Sequence, residues 1–405
     1  MPLLSGLVYF LYLGFASAAT PEETRTITEE EALRLLESSP AARSLALEAR
    51  RAEARARLAG IWPSPEIFLS RESSLNTIDR FLEVAQPLPV SGRPALERGA
   101  ADRAAEAEVL RVRQRLLALR ADLRLAFHSL LLAQGRSARL TGARAELEEL
   151  TRTMRVREQA GESSGFDRAR VERELAETEA DLFESRIGEA KARLGLAALL
   201  PGTEGVELSA TGSLERAEEL PSLDALLARG ESRADVVAFE RERQSAETAG
   251  RAAARLRVPE LVLQAGSKST ETFAPRDTGS VVSLNVSIPL FNRGGPARDL
   301  ARVEQELARS RREALLRLVR AEIEAAHAEL RERRQARESY QSGSDPEALV
   351  ASARVAYEEG EADILQLIDA YRVVLAVRLR RLELAFGERR AAIELDRVVG
   401  EEVSR

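Results

Sequence analysis

Val84-Ala85-Gln86-Pro87-Leu88 and Val286-Ser287-Ile288-Pro289-Leu290 carry the same message, 202 positions apart: an extended run brought to a stop by proline. Upstream, Trp62-Pro63-Ser64-Pro65-Glu66-Ile67-Phe68-Leu69 is echoed by Val258-Pro259-Glu260-Leu261-Val262-Leu263. Downstream, the turn Ser91-Gly92-Arg93-Pro94 is echoed by Asn292-Arg293-Gly294-Gly295-Pro296. Further on, His128 falls opposite His327, and Gly161-Glu162 opposite Gly360-Glu361. Each half therefore holds two strands between very long helical stretches, and the order occurs twice.

Composition fits helices of that kind. The chain has 405 residues, of which 4% are aromatic and 31% charged, the balance of long helices packed through narrow seams. The net charge is -6 and acidic and basic residues are interleaved, which describes solvated helix faces and disfavours a nucleic-acid partner. Lys191 and Lys268 are the only lysines. Cysteine is absent, which excludes disulfides, thiolate metal sites and a lipid-modified N-terminal cysteine. The apolar start, Leu3 to Phe15, followed by Ala16-Ser17-Ala18-Ala19, is read as a secretory signal over 1–19, cut after Ala18 or Ala19; the alternative is an uncleaved anchor. No other stretch reaches the roughly 18 apolar residues of a membrane helix. An exported chain without a spanning helix is expected.

The pattern divides the mature chain into a first repeat (20–201), a connector (202–220) and a second repeat (221–405). Thr28 with Glu31 makes a capping box, so a helix starts there. It breaks at Pro40 and resumes to about Ala59. Strands are expected near 66–72 and 81–90. The next helix meets no strong breaker until Gly161, and its apolar positions Leu116, Leu119, Leu123, Ala126, Leu130 and Ala133 step by three and four, which is a coiled-coil seam. A second helix returns from Phe166 to Leu200. In the second repeat, a helix over about 222–257 with a break near Gly230 leads to strands near 260–267 and 280–290. The long helix from Pro296 is interrupted at Ser342-Gly343-Ser344-Asp345-Pro346, a departure from the first copy, and the last hairpin turns at Gly360.

Val282, Leu284, Val286, Ile288 and Leu290 alternate with Ser283, Asn285 and Ser287, giving one apolar and one polar face. A membrane-barrel strand and a half-buried soluble strand share that pattern. Four strands cannot close a membrane barrel, since the smallest has about 8, and lipid forbids open edges. The chain must therefore close a barrel by oligomerising, or stay out of the membrane.

Glu31-Ala32-Leu33 through Ser39-Pro40, the corners Gln86-Pro87-Leu88 with Ser91-Gly92-Arg93 and Ile288-Pro289-Leu290-Phe291-Asn292-Arg293-Gly294, and the tip Tyr357-Glu358-Glu359-Gly360 with Ile364 to Ala370 together resemble the TolC family of outer-membrane efflux proteins. The Pro-Leu-Phe-Asn-Arg corner leans towards its CzcC-like metal-efflux branch. The resemblance implies a mainly helical fold with a membrane β-barrel contribution: a homotrimer with one twelve-stranded barrel in outer-membrane lipid and a helical cylinder reaching through the periplasm of a Gram-negative cell. It implies a passive, gated exit duct of a tripartite efflux or type I secretion system, served by a periplasmic adaptor (membrane fusion protein) and an inner-membrane efflux pump.

Such a duct implies no catalytic residue and no cofactor. His128 and His327 are expected to be packing or solvated residues rather than metal ligands. The resemblance places the gate at the tips. The sixth residue after each tip glycine is Asp167 or Gln366, and the ninth is Arg170 or Asp369. Asp369 matches one of two ring aspartates of the family, and Gln366 departs from the other. Tyr357 matches a tyrosine that links to the acidic position occupied by Asp167. Arg170 and Asp369 are candidates to pair across neighbouring hairpins and hold the pore shut; the alternative is two solvated charges. The tip loops, Gly161, Glu162 and Ser163 with Gly360, Glu361 and Ala362, are the expected adaptor contacts. The competing reading is an exported coiled-coil scaffold or adaptor without a pore.

Overall fold

The computed structural model describes residues 24–203, 205–215, 220–273, 275–343 and 345–403; the signal segment read at 1–19 lies outside them. The first half contains β1 (Thr24–Ile27), α1 (Glu29–Glu37), α2 (Pro40–Leu58), β2 (Glu66–Ser74), β3 (Thr77–Leu88), α3 (Arg93–Gln159) and α4 (Gly165–Ala197). After β4 (Glu207–Ala210) come α5 (Leu223–Glu231), α6 (Ala234–Ala254), β5 (Glu260–Glu271), β6 (Asp277–Ser287), α7 (Gly295–Gln341), α8 (Pro346–Glu358) and α9 (Ile364–Val399).

Local chemistry sets these boundaries. The Thr28–Glu31 capping box starts α1, and Ser39 caps α2 with Pro40 in its first turn. Both helices that leave the strands begin the same way, with a left-handed glycine (Gly92, Gly294) followed by proline, whose fixed φ suits a first turn. α3 has 67 residues, roughly 100 Å at 1.5 Å per residue. It packs along α2, α4, α6 and α9. That crowding explains a departure from the expected seam. Leu123 and Leu130 are buried, while Leu116, Leu119, Ala126 and Ala133 are only half-buried. Ala121, Arg124, Phe127 and His128 are buried as well, so two stripes face neighbours where one was expected.

The sheet runs β2-β3-β5-β6, antiparallel throughout. β3 pairs with β5 and so joins the two halves, leaving β2 and β6 as open edges. Both hairpins are longer than read from the sequence. β2 and β3 are separated by Leu75 and Asn76 alone, with Leu75 at φ +37°, where a loop to residue 80 was expected. Polar residues at the distal ends (Ser73, Ser74, Asp79, Arg80) hid the extension. β6 stops at Ser287 rather than near 290, because Pro289 offers no N–H to a ladder.

A second sheet, absent from the sequence reading, pairs β1 in parallel with β4. β4 lies inside the stretch read as a connector. Four residues per strand and a partner 183 positions away leave no periodic signal. Ile27 and Leu208 from this pair join Leu36, Leu123, Phe127, Leu130 and Leu196 in one core. Leu226, Val236, Val319, Ile323 and Leu395 form a second core, and both lie part-way along the helices, at a waist. A third lies near the tips: Leu147, Leu150, Met154, Val171, Ile364, Leu367 and Ile368.

Candidate functional site at the helix tips

The two helix tips have one backbone design. In the first, Gly161 N–H bonds Glu158 O (3.0 Å) and Glu162 N–H bonds Arg157 O (2.8 Å). In the second, Gly360 N–H bonds Tyr357 O (3.2 Å) and Glu361 N–H bonds Ala356 O (2.8 Å). This is the double closure that ends a helix on a left-handed glycine, and the φ values are +75° and +81°. Two residues later a capping box starts the return helix. Ser164 Oγ accepts from Asp167 N–H, and the Asp167 carboxylate accepts from Ser164 N–H, both at 3.2 Å. Asp363 and Gln366 do the same at 2.8 and 3.1 Å.

Asp167 and Gln366 therefore occupy one structural position, the third residue of a helix. Gln366 serves it as well as an acid, which explains how the sequence departs from the family pattern here without altering the turn. The Tyr357 link to Asp167 is not made. Tyr357 Oη instead donates to Met154 Sδ at 3.2 Å, and Arg157 lies 5.3 Å over its ring. Asp167 is held by its own cap. Arg170 and Asp369 are both exposed and do not meet within the chain; the Arg170 guanidinium sits 5.0 Å over Phe166. Ser163 is half-buried, while Gly161, Glu162, Gly360 and Glu361 are exposed and Ala362 is half-buried.

The cross-hairpin pair that does form was not anticipated. Arg372, one turn beyond Asp369 on α9, makes a two-pronged bond to the buried Glu174 of α4, one prong at 2.8 Å. Higher up, Arg378 of α9 donates to both oxygens of Glu347 (2.9 and 2.6 Å) and to Glu146 of α3 (3.1 Å). It ties the restarted helix α8 to the first hairpin. Both arginines flank the apolar run Val373-Val374-Leu375-Ala376-Val377, and nothing in their spacing names a partner on another helix.

At the waist, His128 is buried among charges. Arg124 of α3 donates to Asp396 of α9 and Glu29 of α1, both at 2.7 Å. Arg389 of α9 donates to His128 Nε2 (3.1 Å) and Glu29 Oε2 (3.0 Å). Burial lowers the His128 pKa, reinforced by Arg389 and Arg124 and opposed by Glu29, so the imidazole is neutral. Burial would raise the Glu29 pKa, but the guanidiniums of Arg389 and Arg124 outweigh it and hold the carboxyl well below its usual range. His327 is half-buried and meets no such network among the described residues, so the two histidines share a repeat position but not their surroundings. The one legible signal was Arg124 and His128, four apart, beside the seam residue Leu123 and the aromatic Phe127.

Long helical hairpins with matched tips, a waist sheet and a four-stranded sheet with open edges make up the protomer fold of the outer-membrane efflux channels. No protein-family model matches the chain. The cobalt-zinc-cadmium resistance protein CzcC of Cupriavidus metallidurans is 24% identical over 354 residues, spanning 84% of this chain and 82% of CzcC. The open-state MtrE outer-membrane channel of Neisseria gonorrhoeae superposes with a TM-score of 0.75 at 18% identity, covering 93% of this chain and 90% of MtrE. The Campylobacter jejuni CmeC outer-membrane channel superposes with a TM-score of 0.74 at 14% identity, covering 100% and 96%. The TolC-family resemblance read from the corners and tips is borne out.

Proposed function

We propose that this chain is one protomer of a passive outer-membrane exit duct. The observation that carries the reading is the open-edged sheet. Its outward row, Ile67, Leu69, Leu82, Val84, Leu263, Ala265, Val282 and Leu284, is apolar, and several of these large side chains stand exposed. Its other face carries Glu66, Ser70, Asp79, Glu83, Gln264, Lys268, Ser283 and Asn285. An exposed apolar face with unpaired edges is untenable in water and equally so in lipid unless the edges meet. Three copies would give twelve strands, an even number within the range of such barrels. The homotrimer, the Gram-negative outer-membrane location and the reach into the periplasm follow from this reading.

The tips then form the inner mouth. The exposed Asp369 would stand in a ring of three, with Gln366 leaving the second ring neutral. Arg170 of one protomer would face Asp369 of the next, and the loops at 161–163 and 360–362 would meet the adaptor of an inner-membrane pump. Asp167 and Tyr357 would serve the gate by shaping the tips rather than through a bond to each other. CzcC is a cobalt-zinc-cadmium resistance protein, which supports a divalent metal cation as the cargo.

Purified from membranes in detergent, the mature chain is expected to have the mass of a trimer and, once reconstituted, to open large single channels. A water-soluble monomer or dimer without conductance would instead place the coiled-coil scaffold first. For the cargo, deletion of the gene is expected to sensitise the cell to zinc, cobalt or cadmium. Unchanged tolerance of all three would refute the metal assignment and leave the duct standing.

A further inference from the structure

Beyond the apolar band, towards the hairpin ends, the outward face of the sheet changes character. Arg71 on β2 stands directly across from Arg80 on β3, Arg80 across from Ser269 on β5, and Ser269 across from Thr278 on β6. The next row on the same face, one step nearer the helices, is Leu69, Leu82, Ser267 and Ser280. Arg276, from the turn between β5 and β6, joins Arg71, Arg80, Ser269 and Thr278 around a shallow hollow of about 520 Å³, floored by Leu69 and Leu82.

The charges in this hollow do not balance. Arg80 donates to Glu271 at 2.8 Å, so among the described residues three guanidiniums are served there by one carboxylate. The other acids at these strand ends, Glu72, Asp79 and Asp277, fall on the opposite face, where Asp79 holds Lys268 (2.9 Å) and Thr270 (2.6 Å). Like charges directly opposed on adjacent strands are destabilising, and Arg71 and Arg80 are such a pair. Ser269 Oγ is buried with no hydrogen-bond partner. Guanidinium forks and hydroxyls above an apolar floor suit a ligand that is anionic and tetrahedral at one end and greasy at the other.

We propose that this hollow binds the phosphates of a phosphorylated glycolipid of the lipid A type, in the outer leaflet, with its acyl chains lying over Leu69, Leu82, Val84 and Val282. The proposal rests on the barrel reading, which makes this face the lipid face and puts the hairpin ends on the outer side.

The test titrates the detergent-purified protein with bis-phosphorylated lipid A, with the same glycolipid stripped of phosphate, and with inorganic phosphate, and counts bound lipid by native mass spectrometry. The comparison protein is the double variant Arg71→Gln, Arg276→Gln, which keeps the Arg80–Glu271 pair. Lipid A is expected to bind the parent protein at least about tenfold more tightly than the variant, since two charge-assisted contacts are lost. The phosphate-free lipid should bind both proteins equally weakly, and inorganic phosphate should not compete at matching concentration. Equal affinity of lipid A for both proteins overturns the site, as does inorganic phosphate binding as tightly as the lipid. Trimer mass and conductance, read on the same samples, separate the two levels. Conducting trimers with equal lipid binding defeat the lipid site alone; a soluble, non-conducting chain defeats the duct and the site with it.

Discussion

The waist and the tips are built on opposite terms. At the tips the two repeats share one backbone design, closing bond for closing bond, while the side chains they expose differ: Arg170 in one, Asp369 in the other. At the waist the repeats have diverged altogether. His128 is locked among Glu29, Arg124, Arg389 and Asp396, whereas His327 is half-buried on a plain helix face. Duplication thus preserves geometry where a turn must form and lets chemistry drift where packing can absorb it. The waist fastens α1, α3 and α9 through buried charge. Near the tips α4 meets α9 only sparsely, and the hairpins are joined there by a small apolar core and by single bonds, Tyr357–Met154, Arg372–Glu174 and Arg378–Glu146.

The comparison breaks most easily at the waist. Asp396→Ala leaves Arg124 buried without its main partner and should cost about 3–5 kcal/mol, read as a lower denaturation midpoint. Removing Arg124 as well should recover part of the loss; a strictly additive double variant would show that the pair is not coupled. Acid should strike the same place. Because the folded chain holds His128 neutral, the unfolded chain takes up that proton first below the ordinary value of 6.5, so stability falls as pH falls from there. Glu29 adds a second decline below 4.5, where the unfolded carboxyl is protonated before the folded one. His128→Asn should flatten the first decline and leave the second, which a thermal-melt series from pH 8 to pH 4 would resolve.

Smaller effects sharpen the tips. Gly161→Ala and Gly360→Ala each force a side chain into the left-handed region and should each cost about 1–2 kcal/mol. Near-equal losses would support the shared design, and a gap above about 1 kcal/mol would contradict it. Arg170→Asp and Asp369→Arg, both exposed, should move stability by less than about 0.5 kcal/mol. Their signature is conductance: either alone should raise the open fraction beyond that of a neutral substitution, and the two together should restore closure. Failure of the double swap to restore it would identify them as solvated charges.

What the sequence made legible follows from how local each signal is. The capping box at Thr28, the glycine tips, the proline corners and the alternation in 282–287 are short-range facts of chain chemistry, and each has its counterpart in the structure. The β1–β4 pair, the Arg372–Glu174 bridge and the Glu29–Arg124–Asp396 network join residues 183, 198 and 272 positions apart. No period or motif announces such contacts; an arginine that reaches across helices reads like one that faces water. The candidate gate positions came from the family resemblance and the repeat spacing, yet the contacts two of them make, a cap for Asp167 and a thioether contact for Tyr357, depend on neighbours that spacing does not specify.

The central claim is that β2 of one chain pairs with β6 of another. The chain has no cysteine, so an engineered pair reports this without background. Leu69→Cys on β2, scanned against cysteines at 280, 282 and 284 on β6, would be oxidised in native membranes and resolved on a denaturing gel. β2 and β6 are opposite edges of one four-stranded sheet, so they cannot be bridged within a chain. The account predicts covalent dimers and trimers from at least one pairing, and no larger species. Monomer alone across the whole scan would contradict it.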